Sequence, residues 1–183
     1  VVNMIKGAVV LTAKSGSKTY DGTSLTIDEF EVSGLPEGYT ATATVEGSAT
    51  NVGDAGTNTV TSYTITDAAG QDVTRFFTNV VPVDGKLTII PAAITIAAND
   101  KTKVYDNDET SHPALDAIVN GVPTNGVAPV YNLSRVAGQN VAEYVISVNA
   151  DAESNPNYAV TVEDGTFTIT PAAIRIKADD KND

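Results

Sequence analysis

Pro91-Ala92-Ala93-Ile94-Thr95-Ile96 returns as Pro171-Ala172-Ala173-Ile174-Arg175-Ile176, eighty residues further along the chain. Just upstream, Asp84-Gly85-Lys86-Leu87-Thr88-Ile89 returns at the same offset as Asp164-Gly165-Thr166-Phe167-Thr168-Ile169. Lys18-Thr19-Tyr20-Asp21-Gly22 reappears as Lys103-Val104-Tyr105-Asp106-Asn107, eighty-five residues on. A period this long marks an array of like modules rather than one unique active site. The five-residue difference between the offsets puts the variable length in the middle of a copy, where loops absorb it. The chain therefore reads as a first module over 1–91, of which 1–7 looks like the end of a preceding copy. A second module follows over 92–172, and 173–183 is the first strand of an incomplete third.

Composition narrows the function class. Apolar residues make up 42% and charged residues 19% of the 183, a globular balance in which each copy can bury a modest core. The net charge of −12, with eleven scattered Lys and Arg, argues against nucleic acid and against an anionic membrane surface. Cysteine is absent, which removes disulfides and thiolate metal sites. That absence fits the exported proteins of Gram-positive bacteria better than a small-domain animal secreted protein. No apolar run approaches the roughly 18 residues of a membrane span.

The local pattern is strand-like almost throughout. Tyr39-Thr40-Ala41-Thr42-Ala43-Thr44-Val45, Ser62-Tyr63-Thr64-Ile65-Thr66, Tyr144-Val145-Ile146-Ser147-Val148 and Tyr158-Ala159-Val160-Thr161-Val162 alternate with period two. Gly34-Leu35-Pro36-Glu37-Gly38, Asn51-Val52-Gly53-Asp54-Ala55-Gly56, Asn120-Gly121-Val122-Pro123 and Glu163-Asp164-Gly165 supply turns between them. A first strand (9–13; 94–98) leads to the Lys-x-Tyr-Asp element, a variable middle follows, and a last hairpin ends in Gly-x-Leu/Phe-Thr-Ile. Two short helical pieces are expected, one over 113–119 with a glycine stop at Gly121, and a single turn over 72–77 capped by Asp72. The Pro-Ala-Ala joint is too short for much swing and implies an elongated array. The expected fold class is mainly β: two tandem small strand-rich modules, β-grasp-like with at most a short helix. An immunoglobulin-like β-sandwich is the alternative.

Lys-x-Tyr-Asp-Gly near the start, Tyr-x-Ile in the middle and Gly-x-Leu-Thr-Ile-x-Pro-Ala at the end resemble the MBG-type repeats of bacterial cell-surface adhesins. The second copy departs by carrying Asn107 where the first has Gly22. The resemblance covers nearly the whole chain. It implies a β-grasp-like module, an extracellular location on a bacterial (Gram-positive) cell wall, and tandem stalk segments of large surface proteins. Host mucin glycans or a host surface protein are the partners it implies, and a monomer is expected. No catalytic residues come with the family.

The residues themselves give little chemistry. His112, the one histidine, lies before Pro113 in a polar turn and has no cysteine to activate, so it reads as an exposed loop residue and the chain as no enzyme. Asn99-Asp100 with Asp106-Asn107-Asp108-Glu109, and Asp179-Asp180 with Asn182-Asp183, gather hard oxygens of the kind calcium takes. The spacing lacks the Asp-x-Asp-x-Asp-Gly loop, and the first copy has Lys14-Ser15-Gly16 at the matching place. Solvated acidic turns are the preferred reading, with calcium as the alternative cofactor and no metal residues assigned. Tyr20 and Tyr105 are the candidate ligand-binding residues, as platforms for a sugar; the structural reading is a packed ring with its hydroxyl on a backbone partner. Lys18 and Lys103 point to the same face as these tyrosines in an extended segment. A lysine–asparagine crosslink at either requires an asparagine and a carboxylate in contact.

Overall fold

The computed structural model describes residues 7–178. The residues before 7, the Asp179-Asp180 and Asn182-Asp183 ligand candidates, and the last five residues of the expected third-copy strand lie outside the described residues; over 173–178 that strand does not form, and the segment is exposed with no strand among the described residues to pair with. The chain is mainly β and falls into two units. The first takes in the described residues up to Ala92 together with Pro123–Val127; the second takes Ala93–Val122 and the described residues from Ala128 onward.

In the first unit the strands are β1 (Val9–Ala13), β2 (Gly16–Thr19), β3 (Phe30–Ser33), β4 (Thr40–Glu46), β5 (Thr57–Thr66), β6 (Val80–Val83) and β7 (Gly85–Ile90). They form a three-stranded sheet, β3-β1-β6, and a four-stranded sheet, β2-β7-β5-β4. Alternation does what the sequence implies. Val9, Leu11 and Ala13 of β1 are at most 1% exposed and pack with Val45, Val60, Ile65 and Phe77 between the sheets. Each fully buried aliphatic side chain contributes about 1.5–3 kcal/mol. On the outer face, Thr40, Thr42 and Thr44 of β4 stand opposite Thr66, Thr64 and Ser62 of β5, and a bulge follows Thr44. Branched Cβ atoms suit this half-solvated surface.

One pairing organises the unit. Val9–Thr12 run parallel to Val80–Val83, and Gly16–Thr19 run parallel to Leu87–Ile90, each residue meeting the one 71 positions later. The first arm of the copy thus lies beside its last arm, and both arms pass from one sheet to the other. The passage is tight at Gly85, which is buried; a Cβ there would fall 2.5 Å from the Ala13 and Lys14 carbonyls. Ser15 bridges the gap by accepting the Lys86 N–H on its Oγ at 2.9 Å.

The second unit uses β8 (Ala92–Ala98), β9 (Lys101–Val104), β10 (Ala117–Asn120), β11 (Asn132–Arg135), β12 (Glu143–Asn149), β13 (Tyr158–Glu163) and β14 (Gly165–Thr170). Their sheets are β10-β8-β13 and β11-β12-β14-β9, the same plan as the first unit. Lys101–Val104 run parallel to Phe167–Thr170, here 66 positions apart. The five residues separating 71 from 66 are those by which the repeat offsets differ. Asp100 takes the part of Ser15, accepting the Thr166 N–H at 2.7 Å. Ile146, Phe167 and Ile169 form a core with Ala98, Tyr105, Leu115 and Tyr144 against them.

Two local expectations are corrected. The expected last hairpin does not form, because β6 pairs with β1 and β7 with β2 and β5, in different sheets. Asp84-Gly85 is a crossing corner, not a hairpin turn. No helix covers 113–119: residues 111–116 are irregular, and Ala117–Asn120 pairs antiparallel with β8, half-burying Ala117 and Val119 while Ile118 and Asn120 stay exposed. Tertiary pairing overrides the helical spacing of Ala114, Leu115 and Ile118. The turn near 72–77 exists as a 3-10 turn, Thr74–Phe76, with Val73 rather than Asp72 at its cap. Asp72 still accepts the Thr74 N–H at 2.9 Å. Among the described residues no helix is long and apolar enough to cross a membrane.

Candidate functional site: the two Tyr-Asp corners

The Lys-x-Tyr-Asp element sits at the end of the first arm of each copy. In the first unit the Tyr20 N–H donates to the Ile90 carbonyl at 2.8 Å; in the second the Tyr105 N–H donates to Thr170 at 2.8 Å. The chain then turns back sharply. Extended backbone puts the lysine on the tyrosine's side two residues earlier, and the turn carries oxygens round to it.

Lys103 is the more enclosed lysine. Its side chain is 8% exposed, and its Nζ donates to Asp106 Oδ1 at 2.8 Å, to the Ser111 carbonyl at 2.8 Å, and to the Asp108 carbonyl. Lys18 is 25% exposed; its Nζ donates to Asp21 Oδ1 at 2.8 Å, to Thr23 Oγ1 at 2.7 Å and weakly to the Ser24 carbonyl. In both corners the ammonium fills the cup of oxygens that the acidic turn makes. The lysine beside each carboxylate, helped by backbone N–H groups from Thr23 and Asp108, pulls Asp21 and Asp106 down to about 2.

The corners part company at the next residue. Gly22 (φ 79°) and Asn107 (φ 60°) both hold the left-handed conformation. Asn107 Oδ1 accepts the Tyr105 hydroxyl at 3.1 Å. Tyr20 is only 3% exposed, and its hydroxyl accepts the Val127 N–H at 3.2 Å. Tyr105 is half-buried against the Phe167 core.

The acidic residues weighed as calcium ligands are spread over separate tasks. Asp100 holds Thr166, Asp106 holds Lys103, and Asp108 Oδ1 accepts from Thr110. Glu109 Oε1 accepts the Gly138 N–H at 2.6 Å, and Asn99 donates to Asp116 at 2.7 Å. Among the described residues no group of three or more His, Asp or Glu is placed to hold a metal ion. The contacts of Lys18 and Lys103 are hydroxyl, carboxylate and backbone oxygens, with no asparagine side chain among the bonds given above. His112 is exposed, with Nδ1 2.9 Å from the Pro113 carbonyl and its ring edge-on to Phe167 at 6.0 Å.

Three residues carry more of the architecture than their sequence context announces. Asn58, fully buried, donates through Nδ2 to the Lys14 and Ile27 carbonyls, both at 2.9 Å. Asn155, 3% exposed, donates to Val130 and Asp151 carbonyls and accepts the Val130 N–H, all at 2.8 Å. Arg135 lies over the Phe167 ring at 4.7 Å and ties down Gly138 at 2.8 Å. The readable signal for Asn58 is parity: it occupies a core-facing place two residues before Val60.

Fold and corners together define a tandem pair of mainly-β repeat modules. The family model described as MBG domain (YGX type) matches residues 94–168, most of the second repeat, and bears out the MBG-type resemblance there. Comparison with curated proteins and with solved structures gives no match.

Proposed function

We propose that the chain is a non-enzymatic, load-bearing segment of a stalk on a bacterial cell surface, in a Gram-positive wall. The observation that carries this reading is the parallel pairing of first and last arms in each copy. Tension enters a repeat through its first arm and leaves through its last. When those arms are parallel neighbours, pulling slides one along the other and loads their hydrogen bonds together, rather than peeling them off singly. Resistance to force is a matter of unfolding rate, so this geometry raises mechanical lifetime more than equilibrium stability.

Single-molecule pulling on the whole chain tests it. β2 and β4 are the two edges of one sheet, and only β2 lies in the load path. Proline placed at Ser17 and at Lys18 in turn should lower the unfolding force of the first unit. Proline at Thr42 or Ala43 should lower thermal stability while leaving the peak force. Equal loss of force from both edges would sink the reading.

The alternative is a module that contacts mucin glycans or a host surface protein. It draws on the family's name and on a hydroxyl-lined depression of about 160 Å³ over Thr42, Thr44, Ser62 and Thr64. That volume is below the roughly 300 Å³ at which ligand pockets begin. A glycan array with no signal for the chain would remove the alternative.

A further inference from the structure

The first unit includes Pro123–Val127 as well as its N-terminal stretch. Residues 123–126 form a β-turn, closed by the Gly126 N–H donating to the Pro123 carbonyl at 2.9 Å, with glycine at the fourth position where type I turns favour it. The Asn125–Gly126 peptide lies directly against the Gly22 Cα: a Cβ there would run into the Asn125 carbonyl, with the Gly126 nitrogen 2.9 Å away. Beside it, the Tyr20 hydroxyl accepts the Val127 N–H at 3.2 Å. A bare Cα and a buried hydroxyl therefore meet two successive peptide groups of one Asn-Gly turn.

The corner of the second unit has the same lysine, tyrosine and aspartate and the same left-handed backbone at the next residue. Around the tyrosine hydroxyl the difference that matters is the residue after the aspartate. Asn107 supplies the Cβ that the glycine lacks, and its amide oxygen takes the tyrosine hydroxyl for itself.

We propose that the Tyr-Asp-Gly corner is a receptor for an Asn-Gly turn, and that the residue after Tyr-Asp decides whether a corner is open or closed. Glycine opens it: backbone can approach, and the tyrosine hydroxyl accepts an N–H from that backbone. Asparagine closes it by filling the space and occupying the hydroxyl. The substitution leaves the corner's own fold intact, because asparagine tolerates positive φ and Asn107 already sits there at 60°.

Amide hydrogen exchange on the whole chain tests this. Gly22→Asn should speed exchange at Gly126 and Val127 by about tenfold or more, while the Tyr20 and Leu87 amides stay as protected as in the parent. Tyr20→Phe, which keeps the ring and removes only the acceptor, should speed Val127 by about threefold and leave Gly126 nearly unchanged. Unchanged exchange at Val127 in either folded variant overturns the proposal. Equal acceleration at Leu87 does so too, since the corner would then hold the sheet rather than the turn.

Discussion

The two corners begin from the same four-residue logic and end in different states. In the second, Lys103 is nearly enclosed and Asn107 turns the tyrosine hydroxyl inward on its own loop. In the first, Lys18 is more open, Gly22 leaves bare backbone, and the tyrosine hydroxyl accepts from an N–H more than a hundred residues away in sequence. One position, glycine or asparagine, separates a self-contained loop from one completed by another stretch of chain. Repeats of one plan can thus diverge at a single side chain without disturbing the sheets that hold it.

The largest test of that independence lies in the cores. Phe167→Ala removes a fully buried ring that also carries Arg135 and the His112 edge, and should cost the second unit about 3–5 kcal/mol. Leu11→Ala should cost the first about 2–5 kcal/mol. Chemical denaturation followed by tyrosine fluorescence and by exchange should show each variant lowering one unit's transition alone. Coincident loss in both would mean the units unfold as one.

Next come the buried asparagines, which do similar work in different units. Asn58→Ala strands two part-buried carbonyls, and Asn155→Ala strands two carbonyls and an N–H. Each should cost about 2 kcal/mol in its own unit by thermal melting, with Asn155 the greater loss. An Asn58→Ala variant as stable as the parent would show that water can replace it.

The crossing glycines give a smaller, graded pair. A Cβ at Gly85 would meet carbonyl oxygens at 2.5 Å, at Gly165 one at 2.8 Å. Gly85→Ala should therefore destabilise by more than Gly165→Ala, each within about 1–3 kcal/mol. The reverse order would indicate that the second unit's crossing is the stiffer one.

The smallest effect is electrostatic. Asp21 and Asp106, held near 2 against an ordinary 3.8, add stability that is complete above about pH 4 and is lost as pH falls through about 2. Carboxyl-detected NMR should show both corners intact at about pH 3, where ordinary aspartates are already mostly protonated. Lys103→Met should raise the Asp106 midpoint toward its ordinary value, and Lys18→Met should do the same for Asp21.

Much of the fold was legible because period-two alternation fixes which side chains face inward. β4, β12 and β13 follow from it almost residue by residue, and β1 from the repeat itself. Pairing was not legible. Asp84-Gly85 has the chemistry of a hairpin turn, and nothing local shows that Gly85 is instead squeezed between carbonyls of a strand 71 residues earlier. The 113–119 stretch failed for the converse reason, since its helical spacing is real but only 117–120 finds partners, along β8. At the corners the repeat singled out Lys18, Tyr20, Lys103 and Tyr105. The difference between Gly22 and Asn107 was visible as letters, but its meaning needed the turn that lies on one of them.

Pairing first arm to last also dictates when a repeat can form. Until Gly85–Ile90 exists, β2 has no neighbour, so a partly synthesised copy cannot close its sheets and stays unfolded. Contacts this distant in sequence fold slowly. A chain built this way emerges as a loose thread and seals one copy at a time, each behind its own final strand.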